Sequence, residues 1–124
     1  MSAQENKQHA EAAYKAFSEG DAAGAMANMD DSVVWTVGGD NSLTGTYRGK
    51  QEIGELWAKF AEKGVSTKPH DFVADGDKVV VLTTAGIDGE SNEAADVLTF
   101  NDEGRLIGFE QIGDPAIGNR VFAR

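Results

Sequence analysis

The chain contains no cysteine. That absence excludes disulfides, thiolate metal sites and a cysteine nucleophile. Positive charge is also scarce: 11 Lys and Arg stand against 21 Asp and Glu, a formal charge of −10. Phosphate-backbone binding needs clustered cations, so the balance argues against nucleic acid as a partner. An anionic membrane surface is disfavoured for the same reason. No run of 18 apolar residues exists, so no segment reads as a membrane span. The stretch Met1–Lys7 has no apolar core of the kind a secretory leader needs, which points to the cytoplasm.

What is present suits one domain, expected to cover residues 1–124. A chain of that length buries roughly two-thirds of its unfolded surface and stands without staples. Alanine supplies 17 of the apolar residues. The larger ones suffice for one core and one lined cavity.

The first half reads as helices around one strand. Ala10, Ala13, Tyr14 and Phe17 fall at i, i+3, i+4 and i+7, the stripe of an amphipathic helix. Gly20 is its stop and Asp21 the N-cap of a second, shorter helix. The inner stripe of that helix is expected to be Ala22, Ala25, Met26 and Met29, with Asp30-Asp31-Ser32 ending it. Val33–Val37 is β-branched and aromatic, a strand composition. A loop over Gly38–Ser42 leads to a short strand within Leu43–Arg48, which Gly49 breaks. Ile53, Leu56, Trp57 and Phe60 mark a third helix, closed by Gly64.

The second half reads as an antiparallel meander. Strands are expected at Val65–Ala74, Lys78–Ile87, Glu93–Phe100 and Arg105–Ile112. Asp-Gly dipeptides at 75–76 and 88–89 mark tight hairpins, because such turns need positive φ. Three helices followed by hairpin-linked strands predict an α+β fold, with helices on one face of a curved sheet. A bent sheet covered in this way is a cone, packed at the bottom and open at the top.

Residues that interrupt the inward stripes are the candidates for chemistry. In Asp96-Val97-Leu98-Thr99-Phe100, alternation puts Asp96 on the apolar face of Leu98 and Phe100. A carboxyl there is desolvated, which raises its pKa and favours the neutral, donating acid. The alternative is a wet carboxyl at a strand's start. Thr36 shares a face with Val34, and Trp35 shares the other with Val33 and Val37; the pattern leaves open which is inward. Likewise Gln111 goes with Ile107 and Phe109, and Glu110 with Leu106 and Ile112. Tyr14 and Trp57 lie on helix core stripes, where an aromatic near the mouth can also offer its polar edge to a ligand.

Other chemistries lack their residues. His9 lies on a polar helix turn. His70 precedes Asp71, but neighbours in a strand point to opposite faces. No serine sits in a Gly-x-Ser-x-Gly turn, and the glycine-rich phosphate loops are absent. With two distant histidines and no His-Glu-x-x-His, no metal or cofactor is expected.

Several segments taken together resemble the nuclear transport factor 2-like superfamily, and within it the SnoaL-like domain. They are Phe17-Ser18-Glu19-Gly20-Asp21, Asp30-Asp31-Ser32-Val33-Val34-Trp35 and Leu43-Thr44-Gly45-Thr46-Tyr47-Arg48-Gly49. His70-Asp71-Phe72-Val73-Ala74-Asp75-Gly76 and Asn101-Asp102-Glu103-Gly104-Arg105-Leu106 complete the set. The resemblance implies a cone-shaped, cystatin-like α+β barrel: a curved mixed or antiparallel sheet wrapped around the three helices. It also implies a homodimer packed through the outer sheet face. Members include polyketide cyclases, ketosteroid isomerase-like isomerases, hydrolases, dehydratases and binding modules.

By motif position, Asp96 corresponds to a neutral aspartic acid that donates to the substrate oxyanion in the isomerases. Their base aspartate falls at about Thr36 and their oxyanion tyrosine at Ala13, so neither has its counterpart here. The matching puts Phe109 and Gln111 on the pocket side and Glu110 outside.

The expectation is therefore a pocket for a hydrophobic, carbonyl-bearing ring compound, with isomerase- or cyclase-like chemistry. Asp96 is the catalytic candidate. Thr36 and Gln111 are polar ligand contacts, and Tyr14, Phe17, Trp35, Trp57, Phe60 and Phe109 build the wall. The alternative is a non-catalytic ligand-binding or dimerisation module of the same fold.

Overall fold

The computed structural model describes residues 2–124. In chain order, the elements are α1 (Ala3–Ser18), α2 (Ala22–Met26), β1 (Met29–Val37), β2 (Gly45–Arg48) and α3 (Gly49–Glu62). They continue with β3 (Ser66–Asp75), β4 (Lys78–Ile87), β5 (Glu90–Phe100), β6 (Leu106–Gly113) and α4 (Ala116–Val121).

The helix ends follow from their residues. The Ser2 hydroxyl accepts from the Glu5 amide at 3.1 Å and donates to its carboxylate at 3.2 Å, fixing the start of α1. Gly20 takes φ +76° just past the end of α1. Asp21 caps α2 by accepting from the Gly24 amide at 2.9 Å.

One six-stranded sheet runs in the order β2-β1-β6-β5-β4-β3. Every neighbouring pair is antiparallel except β1 with β6, which is parallel, so the sheet is mixed. The hairpin between β4 and β5 turns through Asp88 (φ 53°) and Gly89 (φ 83°), the two positive angles of a tight two-residue turn. Ile53 of α3 packs into a core with Val33, Val79, Val81, Leu98 and Phe100, all nearly inaccessible. Each such side chain contributes roughly 1.5–3 kcal/mol by leaving water.

The structure differs from the sequence expectations in three places. Met29 is the first residue of β1, not part of α2: it pairs in parallel with Leu106, and a register shift separates it from Val34. Asp30 and Ser32 therefore belong to the strand. Asp30 accepts from the Ser32 amide and hydroxyl and faces Arg105 at 3.5 Å. Those contacts, with the Ser32 bonds foremost, hold the Asp30 carboxyl below its usual range. Second, β5 starts at Glu90, directly after the turn, rather than at Glu93. Third, a fourth helix, α4, follows the sheet.

Candidate active site in the cone

A cavity of about 270 Å³ opens between the concave sheet face and the helices. Its geometry follows from register. Asp96 on β5 lies opposite Val81 on β4 and Gln111 on β6, so the three share the inner face. Val97 and Glu110 pair on the outer face. On β1, Trp35 lies opposite Tyr47 and Phe109, and Thr36 opposite Thr46 and Glu110. The open question of strand faces is thereby settled: Trp35, Phe109 and Gln111 are inward.

Asp96 has 0% of its surface accessible. The Tyr14 hydroxyl donates to its Oδ2, and Gln111 Nε2 donates to its Oδ1 at 2.9 Å. Tyr14 reaches the carboxyl from α1 and is braced edge-to-face by Phe72, with centroids 5.6 Å apart. Burial raises the Asp96 pKa, and the bonds from Tyr14 and Gln111 offset part of that rise. Burial pushes the Tyr14 hydroxyl upward as well, followed by the Asp96 charge and the bond to it. The phenol therefore keeps its proton. Counting along the helix leaves Ala13 where the isomerases carry their tyrosine. Both Ala13 and Tyr14 border the cavity, and Tyr14 supplies the hydroxyl.

Next to this polar group stands an aromatic stack. Trp35 lies flat on Phe109, with centroids 3.6 Å apart and planes 12° from parallel. Trp57 meets Trp35 edge-on at 5.6 Å, and Phe17 meets Trp57 at 5.2 Å. The Trp57 Nε1 atom is buried without a hydrogen-bond partner.

Tyr14, Phe17, Trp35, Thr36, Trp57, Phe60, Asp96, Phe109 and Gln111 all border the cavity. Thr36 does so from a strand position whose register partners place it on the face opposite Trp35. The hydrogen bonds to Asp96 come from Tyr14 and Gln111 instead. His70 stays outside. It sits at a bulge between Pro69 and Asp71, exposed, touching Thr84 at 2.5 Å and Glu93 at 3.5 Å.

Asn41, Ile87, Pro115, Ile117 and Phe122 also line the cavity without having been expected there. Pro115 at a helix start is the sequence signal for α4, and Ile117 and Phe122 are the apolar residues this segment turns to the cavity. Asn41 carries no such signal. Among the described residues, no group of three or more His, Asp or Glu could hold a metal ion, and no helix is long and apolar enough to cross a membrane.

A mixed six-stranded sheet curled around helices is the nuclear transport factor 2-like, or cystatin-like, architecture. Within it the chain belongs to the SnoaL-like domain family, whose model matches residues 10–109. A nuclear transport factor 2-like protein of unknown function from Burkholderia pseudomallei is 27% identical, with a TM-score of 0.83 over 100% of both chains. TerC, solved in a co-crystal with polyporic acid, is 26% identical, with a TM-score of 0.82 over 95% of this chain and 98% of its own. A Xanthomonas campestris protein of unknown function with a cystatin-like fold shares 22% identity and a TM-score of 0.83, over 96% of this chain and 98% of its own. No protein of curated function matches.

Proposed function

We propose that the cavity binds a hydrophobic ring compound bearing a carbonyl or hydroxyl oxygen, and that Tyr14, Asp96 and Gln111 polarise that oxygen in an isomerase- or cyclase-like reaction. The observation that carries this reading is a carboxyl with no accessible surface, held between two donors at an apolar cavity. The co-crystal of TerC with polyporic acid supports a small-molecule ligand.

Asp96 itself is covered, so the ligand meets it through Tyr14 and Gln111. In the ionised state both Asp96 oxygens accept, and the Tyr14 proton is committed to Oδ2. When Asp96 is protonated at Oδ2, the direction reverses. The acid donates to the Tyr14 oxygen, and the phenol O–H turns to the ligand. Negative charge developing on the ligand oxygen is then stabilised by a hydrogen-bond chain that ends on the buried carboxyl. The aromatic stack of Trp35, Phe109, Trp57 and Phe17, with Phe60 further along the wall, holds the ring.

Titration of the Asp96 carboxyl by 13C NMR, with turnover of ring ketones in wild type and Asp96→Asn, tests the reading. A raised midpoint and activity lost in the variant are expected. A midpoint near the ordinary value of about 4 removes the neutral-acid role.

A second reading is a binding module without catalysis. It is favoured by Thr36, which stands where the isomerases carry their base and lies on the strand face opposite Trp35. Retained ligand binding with no turnover on any ring ketone or epoxide is its expected outcome.

We also propose a homodimer through the outer sheet face. Leu82 lies opposite Ala95, and Ala95 opposite Ile112; Val73 lies opposite Val80, two residues before Leu82. Val73, Leu82 and Ile112 are the exposed large hydrophobics, 44–57% accessible. Together they form one patch on one face, and a second copy would cover it.

A further inference from the structure

The family match ends at residue 109, yet Pro115, Ile117, Gly118 and Phe122 form one wall of the cavity. No residue of α4 is buried. The one aromatic contact of this segment is loose: Phe122 meets Phe60 at 6.3 Å, tilted by 52°.

Polar groups hold the segment at its edges. On the β5 side, Asn92 Nδ2 donates to the Asp114 carbonyl at 2.9 Å, and Arg120 pairs with Glu90. On the other side, Asn119 Oδ1 accepts from the Asp40 amide at 2.7 Å and from Asn41 Nδ2 at 3.1 Å. The Ser42 amide donates to the Phe122 carbonyl at 2.8 Å, and Arg124 pairs with Asp40. All of these latter contacts fall on the loop between β1 and β2. Both ion pairs are exposed, which makes each weak and sensitive to salt. A segment with few apolar contacts and exposed polar anchors belongs to the low-stability end of local opening.

We propose that residues Asp114–Arg124 form a lid on the cavity. The lid pivots beside Asn92 and is latched to the β1–β2 loop through Asn119, Phe122 and Arg124. Its opening controls access to the aromatic stack and to the Tyr14–Asp96–Gln111 group. The role in ligand entry rests on the small-molecule reading above; the opening itself does not.

Amide hydrogen exchange on the full chain, read residue by residue, tests the opening without any ligand. The Ser42 and Asp40 amides, which donate across the latch to the Phe122 carbonyl and to Asn119 Oδ1, are expected to exchange together, faster than the β4–β5 ladder, and faster still in high salt. The double variant Asn119→Ala/Arg124→Ala removes two latches. It is expected to accelerate the Ser42 amide, whose own acceptor is untouched, roughly tenfold and leave the strand amides unchanged. Acrylamide quenching of Trp35 and Trp57, the chain's two tryptophans, rises in parallel. The uncharged ring probe N-phenylnaphthylamine then enters the variant faster than the wild type.

The lid is overturned if the Ser42 amide exchanges only through global unfolding, or if the double variant leaves it unchanged. It is also overturned if probe entry stays constant while exchange accelerates. Local opening with no probe binding in either protein would sustain the lid and sink the ligand reading instead.

Discussion

The Tyr14 hydroxyl donates to the Asp96 carboxyl across 82 positions of sequence, tying α1 to β5 at the cavity. The bond has two consequences. It gives a buried carboxyl its partner, and it sets the phenol beside that carboxyl at the cavity. Removing the hydroxyl therefore changes both stability and titration.

Tyr14→Phe leaves Asp96 Oδ2 without its partner from α1. The cost is about 1–3 kcal/mol, the range for an unsatisfied buried polar group. The lost bond also lowered the Asp96 pKa, so the carboxyl is expected to titrate higher in the variant than in wild type. Chemical denaturation and carboxyl NMR read the two effects separately. An unchanged Asp96 midpoint would show that the hydroxyl does not act on the carboxyl.

The raised Asp96 pKa fixes the sign of a stability trend. Its ordinary value is 3.8 and its folded value lies higher. Between the two, the folded chain holds a proton that the unfolded chain has released. The Asp96 contribution is therefore fully present below about pH 3.8 and is lost as pH rises through the folded value. Asp96→Asn has no such proton. Urea melts across this window should show the stability of the variant relative to wild type improving as pH increases. A difference that is flat with pH, or that runs the other way, contradicts the assignment.

Two tryptophans in one stack should respond differently to truncation. Trp35→Ala removes the ring stacked on Phe109 and should cost roughly 3–5 kcal/mol. Trp57→Phe keeps an aromatic edge against Trp35 and removes an indole N–H that has no partner. Its cost should stay within about 1 kcal/mol, because deleting an unsatisfied buried donor recovers part of the lost packing. Thermal or chemical unfolding of the two variants gives the comparison. A Trp57→Phe loss as large as that of Trp35→Ala would mean that the N–H is satisfied.

The outer sheet face makes its own prediction. Leu82→Glu puts a charge at the centre of the patch formed with Val73, Ala95 and Ile112. Sedimentation should give a dimer for wild type and a monomer for the variant, with unchanged circular dichroism. A wild-type monomer at high concentration would remove the dimer from the account.

Much of the fold is legible because it is written in periodicity. Ala10, Tyr14 and Phe17 mark α1 by helical spacing, and the two Asp-Gly turns delimit β4 at both ends. Asp96 stands out for the same reason: it occupies an inward position in an alternating strand, and the structure buries it completely. What periodicity does not carry is long-range register. Trp35 and Thr36 are equivalent in the pattern of β1, and only parallel pairing with β6 puts Trp35 against Phe109. Met29 satisfies a helical stripe, but its pairing with Leu106 draws it into the sheet. Tyr14 meets Asp96 through the packing of α1 against the sheet, one residue from the position that counting along the motif assigns. Short α4 is masked by its glycine and asparagine, and its place over the cavity depends on contacts with a loop about 80 residues earlier.

Burial raises the Asp96 pKa, and the role proposed for that acid is to act on a ligand through Tyr14 and Gln111. The most direct measurement is the 13C chemical shift of the Asp96 carboxyl, followed across pH in the intact protein. A midpoint clearly above 3.8, moving higher still in Tyr14→Phe, is the predicted result. A midpoint at or below 3.8 would contradict the account, because the carboxyl would then be an ordinary carboxylate and Tyr14 would be committed to it as a donor.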